Sequence, residues 1–480
     1  MEIVLLKQME YALTIIKSFL LLMLSVSMLS LGGGCATLPK VSDAIDNAST
    51  QDPPQILSAK GMLSPKKSKI LMERLKRSVA PTDMLQRYSA VIESVSGSPL
   101  TSGNKVTLLI DGPPTYAAMF KAMENARNNI NIETFIIEDD ETGRKFSDLW
   151  LKKQAEGVQV NLIYDSRGSF YTPASFFQRL RDAGVQVVAF NPVNPLKARR
   201  SWSMAHPDHR KILVVDGKFV FTGGINISAV YASPPSGASG LSGVKPGKKS
   251  PIIWRDTDVQ IEGPVVAEFQ KLFLETWEQQ KGPKLSGRNY FPELKAVGTS
   301  LVQAVGSSPG QTNRLTFIMY VSAITFAEQS LHLTNAYFVP DDETVKALGD
   351  AAKRGVDVKL LLPGSTDTTL TLNAGRYYFS ELLKSGVKIY ERRNVMLHAK
   401  TMVVDGVWST VGSTNMDFWS FSSNDEVNAA ILDKGFATEM AKMFAEDLAA
   451  SHEILPEEWK KRPLFSKIKE WFAHRFKRWL

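Results

Sequence analysis

Two stretches of this chain spell one pattern, each at the same place within a repeated half. The first is His209-Arg-Lys211-Ile-Leu-Val-Val-Asp216-Gly217 and the second is His398-Ala-Lys400-Thr-Met-Val-Val-Asp405-Gly406. In both, an asparagine (Asn226, Asn415) stands 17 residues beyond the histidine, behind a Gly-Gly or Gly-Ser pair. The surrounding pattern repeats as well. A buried strand within 131–138 leads to a helix over 141–155, a strand over 157–165, a helix over 174–183 and a strand at 184–188. The second half has a strand at 331–338, a helix over 342–353, a strand over 355–362, a further helix and a strand at 386–390. Strands that alternate with helices predict βαβ units and a parallel or mixed sheet in each half. The glycines before the strands are natural helix caps. A repeat of this length is duplication of a whole domain, not a solenoid of short units.

Histidine and lysine two residues apart on a strand point to the same side. The apolar residues after them pack into the core, and the Asp-Gly closes a turn. The Gly-Gly and Gly-Ser pairs let backbone come close to a ligand. Each half thus presents an imidazole, an ammonium and a carboxamide from one edge. Two such edges face to face make one site from His209, Lys211, Asn226, His398, Lys400 and Asn415. Those groups supply a nucleophile, a general acid and several donors to a phosphate. Zinc is the rival reading of paired histidines. It lacks close ligand spacing here, and two lysines repel a cation. His206 reads as a loop residue near the site. With one cysteine, the chain has no internal disulfide and no Cys-rich zinc site. A length of 480 residues suits two or three domains, and a formal net charge of +8 favours anionic partners.

The paired HxKxxxxD motifs resemble the phospholipase D superfamily. Further blocks are similar to bacterial cardiolipin synthases: Glu133-Thr-Phe-Ile, Gly223-Gly-Ile-Asn226, Trp254-Arg-Asp-Thr-Asp258, Tyr337-Phe-Val-Pro-Asp341 and Leu362-Pro-Gly. The likeness runs from about Asn104 to Ala450. It implies an α/β fold of two duplicated α/β/α domains with mixed sheets, packed about a pseudo-twofold axis with the site between them. By the same resemblance His209 is the nucleophile and His398 the general acid. Lys211, Lys400, Asn226 and Asn415 hold phosphate oxygens. Glu426 and Asp258 orient the imidazoles, while the motif residues Asp216 and Asp405 order their turns. No metal or other cofactor is required, and one chain carries both motifs. The implied reaction makes cardiolipin from phosphatidylglycerol and a second lipid alcohol. The same residues serve a phospholipase D that hydrolyses phospholipid to phosphatidic acid. A phosphodiesterase or nuclease is a further reading, although no nucleic-acid partner is expected. A lipoprotein that only binds phospholipid is the non-catalytic one. Two features depart from many synthases: two N-terminal transmembrane helices are lacking, and Asn335-Ala336 stands where Thr-Pro often precedes Tyr-Phe.

The ends of the chain point to membranes. Residues 1–35 read as a signal peptide with a lipobox: an uncharged run of 13 residues, Phe19 to Leu31, precedes Gly32-Gly-Gly-Cys35-Ala36. The run is too short for a membrane span and suits a signal core. Cys35 is then the lipidation site of an exported, membrane-associated lipoprotein, at the outer membrane where the host has two. An uncleaved apolar anchor is the alternative. Residues 36–98 read as a tether with one basic helix near 69–77, 99–300 as the first domain and 301–452 as the second. A Gly/Ser-rich loop, 234–250, interrupts the first. Residues 453–480 form a basic amphipathic helix. Its face of Phe465, Ile468, Phe472, Phe476 and Trp479 suits an anionic membrane surface or a packing site on its own domain.

Overall fold

The computed structural model describes residues 38–48, 53–77, 83–192, 206–233, 253–309 and 314–479. The stretch read as a targeting segment with Cys35, and the stretch 234–250 read as a loop, fall outside them. Seven strands make up the sheet of the first half: β1 (Leu100–Ile110), β2 (Asn129–Thr134), β3 (Gln159–Asp165), β4 (Gln186–Phe190), β5 (Ile212–Val215), β6 (Phe219–Gly223) and β7 (Thr257–Glu262). They lie in the order β1-β7-β6-β5-β2-β3-β4. The strands joined by helical crossovers, β2-β3-β4, are parallel, and the pairs from β2·β5 to β7·β1 are antiparallel. The second half repeats this with β8 (Ser300–Ser307), β9 (Ser330–Thr334), β10 (Asp357–Pro363), β11 (Lys388–Arg392), β12 (Thr401–Val404), β13 (Trp408–Gly412) and β14 (Glu426–Leu432). Its order is β8-β14-β13-β12-β9-β10-β11. The first strands of the halves, β1 and β8, pair antiparallel and join both arrays into one mixed sheet.

The motif strand β5 shows why the halves pack as they do. Its side chains alternate between faces. Leu213 and Val215 enter a core with Tyr116, Phe146 and Trp150, from the helices Gly112–Glu124 and Glu141–Ala155. Ile212 and Val214 enter a second core shared by both halves, with Val403 and Val411 from β12 and β13, Phe269 and Met440. A strand apolar on both faces is thus buried on both. The helix bounds follow the sequence pattern closely: Glu141–Ala155 and Asp342–Lys353 span the expected residues. Asp140 and Asp341 cap them by accepting from backbone N–H groups of the first turn. At their far ends Gly157 and Gly355 take φ of 86° and 95°, the left-handed cap that precedes each next strand.

The stretch read as a tether is instead largely folded onto the body. It holds helices Val41–Asn47, Pro65–Arg77 and Met84–Val95, and a short hairpin at Ile56–Met62 that pairs with β1. The reason lies in the helix Leu315–Phe326, apolar on every side, which a single sheet face cannot cover. Met84–Val95 and Val41–Asn47 pack on it. Arg87 lies 4.2 Å over the Phe326 ring, and Tyr88 meets Trp408 edge-on at 5.2 Å. No described helix is long and apolar enough to cross a membrane.

Candidate active site

Both motif histidines sit at the sheet edge just before β5 and β12, where the two halves meet. All six side chains of the repeated motif are buried: His209, Lys211, Asn226, His398, Lys400 and Asn415. Backbone stitches the halves together at each histidine. The His209 N–H donates to Asp425 O at 2.9 Å, and the Asp425 N–H to Pro207 O at 3.0 Å. In the other copy the His398 N–H donates to Arg255 O at 2.8 Å, beside the short parallel pair Met396–Leu397 with Trp254–Arg255.

These stitches deliver the carboxylates. Glu426, from the second half, places both oxygens 3.1 Å from His209 Nδ1 of the first half. Asp256, from the first half, places Oδ2 2.7 Å from His398 Nδ1 of the second. Each imidazole is therefore held by the opposite half. The first-half orienting residue is Asp256, not the Asp258 expected from the sequence. In the sheet, Asp258 pairs with Gly223 as Asn428 pairs with Gly412. Asp258 is thus the counterpart of Asn428, and Asp256 that of Glu426. One strand residue separates Asp256 from Asp258, and the Asp258 carboxylate bonds to neither histidine. Its Oδ1 accepts from the Ile225 N–H at 3.1 Å, and its Oδ2 is buried without a partner. Burial, then repulsion from Asp256, pushes its carboxyl up to about 8.

The glycine pair also has a different role from the expected ligand approach. A Cβ on Gly224 would lie 2.1 Å from Asp256 Oδ1, and one on Gly223 2.1 Å from Asp258 Oδ1. These glycines make room for carboxylates of the neighbouring strand. In the second copy Ser413 takes the place of Gly224 and its hydroxyl donates to Glu426. Asn226 Oδ1 accepts from the Ile136 N–H at 3.2 Å, and its amide donates to Tyr231 Oη at 3.0 Å. Asn415 differs: its Oδ1 is buried without a partner. Asn335, one of the departures noted in the sequence, accepts from the Met416 N–H at 3.0 Å and so fixes the backbone beside Asn415.

A carboxylate on Nδ1 fixes the tautomer with hydrogen there and leaves the Nε2 lone pair available. The lysines set the charge balance. Lys211 donates to His209 O at 2.7 Å, and Lys400 to His398 O. Burial and then the Lys400 charge push His398 down to about 4. Burial and then Lys211 lower His209 too, against the pull of Glu426. Burial brings the ammonium of Lys400 down to about 7 and that of Lys211 to about 8. Burial works against ionised Asp256 and Glu426, yet their histidine partners hold both below the usual carboxylate range. Two ionised carboxylates thus back the imidazoles, and two lysines beside them gain charge when an anion arrives between the imidazoles.

Sequence reasoning missed the aromatic wall. Trp254 lies 4.9 Å from the His398 ring, and Tyr231 and Tyr337 each 6.0 Å from it. Phe135 stands edge-on to His209 at 5.0 Å and under Lys211 at 5.3 Å. It also missed Arg210, buried between Glu133, Thr276 and the carbonyls of Glu426 and Ser307. Both types lie far from their partners in sequence. His206 is a loop residue beside the site, with Nε2 3.2 Å from Asp425 Oδ2. Among the described residues, no group of three or more His, Cys, Asp or Glu is arranged to hold a metal ion.

Asp216 and Asp405 serve their turns. Asp216 accepts from the backbone N–H groups of Arg127, Asn128 and Asn129, and Asp405 from those of Glu328, Gln329 and Ser330. Each thereby ties its motif strand to the start of β2 or β9. Three charge-assisted bonds are lost on truncation, so Asp405→Ala should cost about 2–4 kcal/mol in urea unfolding. The cost should persist with substrate absent. An unchanged midpoint would reject this role.

The family model described as "Cardiolipin synthase, PLD-like domain" matches residues 119–232 and 320–448. The chain is 33% identical over 401 residues to a cardiolipin synthase of Alkalihalophilus pseudofirmus, covering 83% of this chain and 76% of that protein. It is 38% identical over 367 residues to cardiolipin synthase A of Pseudomonas fluorescens, covering 75% and 72%. In fold it is similar to a phosphatidylserine synthase of Haemophilus influenzae, with a TM-score of 0.54 and 13% identity, covering 78% of this chain and 95% of that one.

Proposed function

The chain belongs to the cardiolipin synthase family of phospholipase D-like enzymes, and from that premise we propose a phosphatidyl transfer in two steps through a phosphohistidine. His209 Nε2 attacks the phosphorus of phosphatidylglycerol, and the phosphorus–oxygen bond to the departing glycerol breaks. Protonated His398 gives its proton to that leaving oxygen. A second lipid alcohol then surrenders its proton to His398 and attacks phosphorus. The His209–phosphorus bond breaks, and cardiolipin leaves with both imidazoles restored. Lys211, Lys400, Asn226 and Asn415 hold the phosphate oxygens throughout. The phosphodiester brings one negative charge between two ammonium groups. That offsets the repulsion that keeps His398 uncharged in the empty site, and lets it carry the proton it must donate.

The observation that carries this reading is the crossed pair of carboxylates, which hold Nδ1 of both imidazoles in one buried site shared with Lys211 and Lys400. The test is to incubate purified protein with labelled phosphatidylglycerol, with and without a second lipid alcohol, and identify products by mass. Cardiolipin supports the transferase. Phosphatidic acid alone would assign water as acceptor, and no lipid product would reject the reading. Attachment through a lipidated Cys35 belongs to the same proposal, on the strength of the Gly-Gly-Gly-Cys pattern. Globomycin treatment should accumulate a precursor; none accumulating would rule lipidation out.

A pH dependence follows from the lysines. In the free enzyme Lys400 and Lys211 lose their protons as pH rises through about 7 and about 8. The bound phosphodiester favours both ammonium forms and so raises both values. Free His398 is uncharged above about 4 and must take up its proton on binding, so the alkaline fall of kcat/KM should begin at lower pH than that of kcat and steepen near pH 7–8 as the lysines deprotonate. Coincident limbs in the two profiles would contradict this charge balance. On the acid side both rates should fall as the imidazole that must attack becomes protonated.

A further inference from the structure

The C-terminal helix Leu464–His474 is mounted with its apolar face outward. An amphipathic helix that packs on its own domain turns that face inward. This one buries Glu470, which Arg462 meets at 2.7 Å, and Ala473, which sits on Val339 and Ala374. His474 stacks on Tyr377 at 3.9 Å and bonds Tyr378 Oη at 3.0 Å. Phe465 (66%), Trp471 (55%) and Trp479 (59%) are left exposed, with Leu464, Ile468 and Phe472. Soluble surfaces rarely show so many large apolar side chains on one short segment.

The elements that hold this helix lead to the catalytic residues. Val339, under Ala473, is two residues from Tyr337, which faces His398. The turn Lys477–Trp479 touches the short helix Phe418–Ser422, which begins three residues after Asn415. Trp419 of that helix lies 5.1 Å under Arg167 of the first half. Arg167 opens a loop whose Phe170 and Tyr171 are 61% and 94% exposed, and whose Ser169 bonds the carbonyl of Phe135 beside His209. Exposed aromatic groups thus stand beside the catalytic site on both halves. Lys461, Lys467, Lys469, Arg475 and Arg478 are exposed along the same tail, whose acidic Glu470 is buried.

We propose that this rim, the tail helix on one side and the Phe170-Tyr171 loop on the other, seats the catalytic mouth on an anionic phospholipid bilayer. Aromatic rings at headgroup depth beside lysine and arginine are the chemistry of an interfacial helix. The arrangement rests on phospholipid being the substrate, because it delivers headgroups at the site entrance without removing a lipid into water.

The test uses the full chain on phosphatidylcholine–phosphatidylglycerol vesicles in which part of the phosphatidylcholine is brominated on its acyl chains. Trp471 and Trp479 should be quenched, so Trp471→Phe with Trp479→Phe should remove much of the quenchable emission. Quenching should weaken on vesicles of phosphatidylcholine alone. Phe465→Glu with Trp471→Glu, both at exposed positions, should raise KM for vesicle phosphatidylglycerol about tenfold or more. Turnover of monomeric short-chain phosphatidylglycerol should stay within about twofold, well under the tenfold that 1.4 kcal/mol represents. Equal quenching with and without the two tryptophans overturns the proposal, as does equal loss on both substrates. A second copy of the chain on this face would shield the tryptophans from lipid and sediment as a dimer, which also overturns it. If the wild type turns over neither substrate, the transfer reading fails while the quenching still reports on the surface.

Discussion

Alanine at either His209 or His398 is expected to reduce phosphatidyl transfer roughly ten-thousand-fold or more, and the double variant little further. The two imidazoles act on one phosphorus in sequence, so removing one leaves the other no step to complete. Without His209 no phosphohistidine forms. Without His398 the leaving glycerol must depart as an alkoxide and the acceptor must attack unassisted. The effects should therefore be far from additive. Each substitution also strands a buried carboxylate, Glu426 or Asp256, so loss of activity could reflect loss of fold. His209→Asn and His398→Asn answer that, since an amide still donates to the carboxylate. Those variants should keep the unfolding midpoint near wild type and remain inactive. From a substrate whose leaving group needs no proton, a protein labelled on phosphorus should be trapped with His398→Asn and not with His209→Asn. Trapping in the reverse pattern would exchange the two roles; substantial turnover in both single variants would remove the mechanism.

Much of this site can be read from one sequence, because duplication turns a weak motif into a strong one. A lone His-x-Lys carries little information, and two copies in register with an Asn at the same distance carry a great deal. The helices Glu141–Ala155 and Asp342–Lys353 were equally readable, since capping and periodicity are local. What resisted reading is what depends on partners distant in sequence. The tether residues carry ordinary helical patterns, and only the all-round apolar helix Leu315–Phe326 explains why they dock. The tail shows its two faces plainly in sequence, but not which one faces inward; the ion pair of Arg462 with Glu470 decides that. The orienting carboxylate was displaced by two residues for a related reason. The resemblance asks only for an acid downstream of each motif, and Asp258 meets that as well as Asp256 does. Laying Glu426-Val-Asn428 over Asp256-Thr-Asp258, as the repeat demands, would have selected Asp256 from sequence alone.

That correction carries the second large expected effect. Glu426→Gln and Asp256→Asn should each reduce kcat about a hundred- to ten-thousand-fold, whereas Asp258→Asn should change it by only a few fold. The amides are nearly isosteric, so the imidazoles keep their positions. What changes is charge and tautomer. A neutral amide can present its N–H to Nδ1, which then accepts, and the hydrogen moves to Nε2 where the nucleophile needs a lone pair. It also withdraws the negative charge that stabilises an imidazolium during transfer. Asp258 touches neither histidine and stands where the second half has an amide, Asn428. Its unfolded carboxyl would ionise near the ordinary value of 3.8, while burial holds the folded one up to about 8. Stability from this group is fully present below the lower value and is lost as pH rises through the higher one. Asp258→Asn removes that loss, so its gain in unfolding midpoint over wild type should be larger at pH 8.5 than at pH 5, on the order of a few degrees. Because Glu426 and Asp256 each cross to the other half, their effects should reach steps their own motifs do not perform. Glu426→Gln should slow formation of the phosphohistidine on His209, and Asp256→Asn should slow proton delivery by His398. Leaving-group dependence separates them: an activated aryl leaving group, which needs no proton, should restore rate in Asp256→Asn and not in Glu426→Gln.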